Sequence, residues 1–132
     1  MLFTPDAHEA PADETWNAET MRAAIASIVA DAESAFDAGW PMHPLDVEKD
    51  DDPAARLRTM FIGGAGAVDA LHRLERHGFV ELRRDYVPYL EHSLEAPPDF
   101  PDEDAERSLW MGETGIRLVY NGSHLRRPIS SG

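Results

Sequence analysis

Thr59-Met60-Phe61-Ile62-Gly63-Gly64-Ala65-Gly66-Ala67 is matched further along the chain by Ser108-Leu109-Trp110-Met111-Gly112-Glu113-Thr114-Gly115-Ile116. Each segment has a hydroxyl residue, three apolar residues with an aromatic in the middle, Gly-x-small-Gly, and a closing apolar residue. The second stands 49 residues after the first, as Ser108 does after Thr59. Similarity at a fixed spacing long enough for two helices and their connections predicts stacked helical hairpins. Gly63, Gly64, Gly66, Gly112 and Gly115 take a structural part here, letting the chain turn sharply into a helix while its backbone passes close to a neighbour. Phe61 and Trp110 are expected to pack beneath their turns. Glycines at a helix start also bind anions. Neither copy is followed by Lys-Ser/Thr or matches the dinucleotide-binding pattern, so no phosphate cradle is assigned.

Outward from these segments the pattern is helical. From Trp16 to about Ala38, Met21, Ile25, Ile28, Ala32 and Phe36 recur at spacings of three and four, which predicts one apolar stripe. Asp13 or Thr15 would cap this helix, Gly39 would take the left-handed position at its end, and Pro41 would block continuation. Residues 1–13 are polar and read as an arm, and residues 40–54 as a long acidic connection with three prolines. The second helix runs to about His77 with Val68, Leu71 and Leu74 on its apolar face, and Gly78 is the stop. A third covers roughly Val80 to Glu95 through Leu82, Tyr86, Leu90 and Leu94; Pro88 either kinks it or marks a later start near Asp85. After an acidic connection with Pro97, Pro98 and Pro101, a fourth stretch runs from about Ala105 to Tyr120, interrupted near Gly112 to Gly115. Residues 121–132 are turn-rich and read as an irregular tail, which leaves 14–120 for the hairpins.

Composition narrows the function classes. With 25 acids against 12 bases the net charge is −13, and the bases are scattered, so contact with a phosphate backbone is disfavoured. The chain has no cysteine, which excludes disulfides, thiolate nucleophiles and Cys-ligated zinc from it. The first twelve residues lack a basic region followed by an apolar run, and no apolar segment approaches the roughly 20 residues needed to span a bilayer. A cytoplasmic protein without membrane or nucleic-acid partners is the expectation.

The chain resembles the lanthionine synthetase C-like family over about residues 1–120. The likeness rests on Trp40-Pro41-x-His43-Pro44-x-Asp46, the Gly63-Gly64-Ala65-Gly66 turn, Arg83-Arg84-Asp85-Tyr86, Pro98-Asp99-Phe100, and Leu109-x-Met111-Gly112-Glu113-x-Gly115-Ile116, in that order. It implies an all-α fold, an incomplete α/α toroid of about two hairpins from the six-hairpin arrangement shared with some glycosidases. It also implies kinship with zinc enzymes that activate a peptide thiol for addition to a dehydrated Ser or Thr. Their zinc is held by two cysteines and a histidine in later hairpins, so no catalytic residue and no cofactor are carried over to this chain. The tail from Asn121 departs from the family pattern, as a truncated gene, a shifted reading frame or a cloned fragment would explain. Two other readings stand beside this one: a non-enzymatic scaffold that binds a peptide or protein partner, and a piece of a carbohydrate-active toroid, which needs paired carboxylates across a cleft. A partial ring leaves open apolar faces, which predicts self-association or marginal stability.

Among side-chain constellations, Trp40, His43 and Asp46 form the candidate cluster. His43 and Asp46 lie three apart in a proline-stiffened loop, where the carboxylate either orients the imidazole as part of a general base or sets the turn by bonding nearby backbone. His72 and His77 are five apart, whereas two ligands on one helical face want three or four, and His8, His92 and His124 are expected in solvent. No metal site is assigned. The acidic runs Asp46–Asp52 and Asp99–Glu106 lack a calcium-loop spacing and read as solvated connections. Most of Trp16, Trp40, Phe61, Tyr86, Tyr89 and Trp110 are expected in the core rather than in a sugar- or peptide-binding cleft.

Overall fold

The computed structural model describes residues 13–124, and these contain five helices and no strand: α1 (Ala18–Ala35), α2 (Gly64–Arg76), α3 (Val87–Glu95), α4 (Glu103–Arg107) and α5 (Glu113–His124). α5 is the centre of the packing, with α3 and α2 against it and the short α4 at its start. Val68 and Leu71 of α2, Val87 and Leu90 of α3, and Ile116 and Val119 of α5 fill the core. Each such side chain withdrawn from water contributes about 1.5–3 kcal/mol.

Several boundaries differ from the sequence expectation for identifiable reasons. Asn17, not Asp13 or Thr15, caps α1: its Oδ1 accepts the Thr20 N–H at 2.9 Å. α1 ends at Ala35, where Phe36 turns extended (φ −70°, ψ 118°), and Ala38 (φ 54°) and Gly39 (φ 132°) carry the chain away from the helix. α3 begins at Val87, the later start, with Pro88 in the first turn where its missing N–H costs nothing. The fourth stretch is two helices, α4 and α5, split at the second glycine turn. α5 continues through Asn121–His124, residues the sequence reading placed in the irregular tail; the remainder of that tail and the arm up to Ala12 lie outside the described residues.

The expected stripe of α1 is rotated by about one residue. Ile25 and Phe36 pack on the core, but the deepest positions are Val29 and Glu33, while Met21 and Ile28 stand in solvent. Two features pull the helix round. Trp40 folds back to donate its indole N–H to the Ala32 carbonyl at 2.7 Å. Phe36 then meets Trp40, Tyr86 and Tyr89 edge-on, with ring centroids 4.8, 5.2 and 5.4 Å apart. Pairs of this geometry contribute about 0.5–1.5 kcal/mol each beyond their burial.

Glu33 is the other feature. Its buried carboxylate accepts the Arg83 N–H on both oxygens, at 2.9 and 3.2 Å, and the Tyr86 hydroxyl donates to it at 3.3 Å. The segment leading into α3 is thereby tied to the last turn of α1. Burial first, then the Glu33 carboxylate, push the Tyr86 phenol from 10.0 up to about 12, and burial raises Tyr89 as well. A folded state that holds a proton more tightly than the unfolded chain keeps that advantage below pH 10 and loses it as pH rises toward about 12. Denaturant melts across that window are expected to show falling stability in step with phenolate absorbance, and Tyr86→Phe is expected to flatten part of the fall. A stability that stays level to about pH 12 would rule the coupling out.

Candidate functional site

A cleft of about 550 Å³ opens between α2, α5 and the segment entering α3. Met60, Val87 and Leu118 give it apolar wall, and Asp69, His72, Asp85 and Ser123 bring polar groups. His72 comes from the inner side of α2, with its ring set 6.3 Å edge-on from Tyr86. Ser123 comes from the last turn of α5, 51 residues away, and its Oγ is 2.8 Å from His72 Nδ1.

A serine beside an imidazole is half of a nucleophile–base arrangement. The proton count decides what this pair does. Ser123 Oγ is also 2.8 Å from the Val119 carbonyl, which can only accept, so the single hydroxyl proton is donated there. Nδ1 of His72 then carries its own proton and donates it to Oγ, the reverse of base activation. The site also lies at the C-terminal end of α5, where carbonyls rather than N–H groups face out, a poor setting for a developing oxyanion.

The acids of the wall are similarly engaged. Asp69 is paired with Arg73 at 2.7 Å, Glu75 Oε1 accepts the Leu82 N–H at 3.0 Å, and Asp85 Oδ1 accepts the Val87 N–H at 2.9 Å. The arrangement can hold a small polar ligand over an apolar floor.

The candidate cluster singled out from the sequence lies outside this cleft. Trp40 is half-buried in the aromatic cluster, whereas His43 and Asp46 are exposed. Their contact is through backbone, Asp46 N–H to His43 C=O at 2.8 Å, while the His43 ring accepts the Leu45 N–H at 3.2 Å. The two glycine segments, by contrast, lie side by side: the Phe61 N–H donates to the Trp110 carbonyl at 2.9 Å. Each leads through three turn residues into a helix, α2 at Gly64 and α5 at Glu113. A Cβ on Gly66 would overlap the Met60 carbonyl oxygen, and one on Gly115 the Leu109 carbonyl oxygen, the same contact 49 residues on.

Other expectations are corrected here. Phe61 and Trp110 do not pack beneath their turns; they are 69% and 55% exposed, and in the first turn Thr59 and Met60 take the inward positions instead. Trp16 is likewise in solvent. His92 and His124 are exposed, as expected, with His124 stacking on Tyr120 at 5.4 Å, and His8 lies outside the described residues. Asp99 is no part of a solvated connection: its carboxylate is buried against Arg58. The sequence reading missed the His72–Ser123 contact because Ser123 fell in the expected tail. A helical continuation of the Ile116–Val119 spacing through Ser123 was the signal for it.

Among the described residues no three His, Asp or Glu converge as metal ligands, and without cysteine the residues present do not fit a thiolate-bound zinc. None of the described helices is long and apolar enough to cross a membrane. Compared with known protein families, with curated proteins and with solved structures, the chain shows no significant match.

Proposed function

We propose that this chain is a helical-hairpin module of an α/α toroid, of the kind the lanthionine synthetase C-like proteins build, and that it serves as scaffold and binding surface rather than as the source of catalytic groups. The adjacent glycine turns carry this reading. They set α2 and α5 against each other after equivalent turns, bridged by the Phe61–Trp110 hydrogen bond, which is how repeated hairpins in a ring contact their neighbours. Thiol-activating zinc chemistry, in this reading, belongs to further hairpins that carry cysteines. The chain's own polar cleft is held together by bonds that serve the fold, and this favours a scaffold over a cyclase or a glycosidase.

The native gene product weighed intact from its source cells tests the proposal. Six hairpins where this chain has two call for a product of about three times its 14.7 kDa, with cysteine-bound zinc outside residues 1–132. A 14.7 kDa monomer as the sole product overturns the toroid.

A further inference from the structure

α1 carries two apolar stripes. Ile25, Val29 and Phe36 face the core. Met21, Ala24, Ile28 and Ala35 recur at spacings of three, four and seven on the side turned to solvent, where Ile28 is 67% and Met21 41% exposed. Trp16, just before the start of the helix, is 74% exposed. The spacing is that of a helix-pairing seam, and the small side chain of Ala24 lets a partner backbone approach closely.

Charge identifies the kind of partner. Asp31 follows Ile28 by three residues, on the same side, and has no ion pair among the described residues. Exposed Asp13 and Glu14 stand at one end of the strip and exposed Asp37 at the other. The one base of α1, Arg22, is turned to the other side, its guanidinium 5.0 Å from the centre of the Phe79 ring. A second copy laid against this strip would bring like charges together on a chain that already carries −13, and an acidic helix would meet the same repulsion.

We propose that the solvent-facing strip of α1 binds a basic amphipathic helix of another protein, whose apolar residues lie against Met21 and Ile28 and whose Lys or Arg pairs with Asp31. The inference rests on α1 alone and does not depend on the toroid.

The test is anisotropy of a labelled synthetic helix of leucine and lysine heptads, titrated with the full chain. Saturable binding is expected, weakened about tenfold or more by Ile28→Glu and by Asp31→Lys. Leu45→Glu, at an exposed position of the loop after α1, is expected to leave it unchanged. Ile28 is 67% exposed and stands outside the core, so Ile28→Glu should melt close to the parent and report binding. A matching helix with glutamate for lysine is expected not to bind. Equal binding by both peptides, or by the Ile28→Glu and Asp31→Lys variants, overturns the proposal. So does light scattering that shows a dimer of the chain dissolved by Ile28→Glu, which would make a second copy the occupant.

Discussion

Gly115→Ala is expected to cost the fold on the order of 4 kcal/mol, a large part of the roughly 5–15 kcal/mol that holds a domain together. Gly115 is the third residue of α5. A Cβ there would overlap the Leu109 carbonyl oxygen and stand 2.8 Å from Met60 Cβ. Backbone cannot rotate out of the way as a flexible side chain can, so the turn itself must move. That turn carries the Trp110 carbonyl bonded to Phe61, so the disturbance passes to the first glycine segment. Gly66→Ala, against the Met60 carbonyl, is expected to cost a similar amount. Gly122→Ala is the control: it lies inside the same helix as Gly115 with nothing within 4 Å of a new Cβ. There the better helix former should stabilise by up to about 1 kcal/mol. Urea midpoints at constant slope measure all three. If Gly115→Ala and Gly122→Ala differ by less than about 1 kcal/mol, the close approach is not what requires glycine.

The second large effect is expected at Asp99. Its carboxylate, with the side chain 4% exposed, accepts the backbone N–H groups of Arg58 and Thr59 at 2.5 and 3.2 Å and the Arg58 Nε–H at 2.8 Å. The same guanidinium makes an ion pair with it at 2.7 Å and donates to the Pro97 carbonyl. One carboxylate thus ties the exit of α3 to the approach to α2. Asp99→Ala leaves two backbone N–H groups unpaired and strips the largely buried Arg58 guanidinium of its counter-charge, with only the Pro97 carbonyl left to it, and is expected to cost about 3–5 kcal/mol. Arg58→Ala should cost less, because Asp99 keeps both backbone donors. Thermal melts of the two variants give the order, and a reversed order would show that packing of the arginine stem, not the carboxylate, holds this junction.

The second and third helices and the inward positions Val68, Leu71 and Leu90 were legible because each is set by apolar spacing within one element. The rotation of α1 was not. Its residues offer apolar side chains on two neighbouring strips, Met21–Ile28 and Ile25–Val29, and local spacing alone does not choose between them. The choice came from Trp40, Arg83 and Tyr86, which engage Ala32 and Glu33 from outside the helix. In the candidate cluster Trp40–His43–Asp46, the aromatic cluster took Trp40, while His43 and Asp46 stayed together in the loop as a turn closed by the Asp46 N–H on the His43 carbonyl, the turn-setting one of the two readings.

Taken by itself, the order of residues determined an all-helical chain without cysteine chemistry, the two glycine turns that open α2 and α5, and a strongly acidic surface. Those follow from composition and from contacts spanning at most a few residues. Only the tertiary structure decided which face of α1 is buried, that Asp99 and Glu33 are internal clamps among acids that otherwise look solvated, and that His72 meets Ser123. These contacts join residues 41, 50 and 51 positions apart. A carboxylate's place in the fold depends on the donors it finds there, and local sequence does not reveal donors that far along the chain.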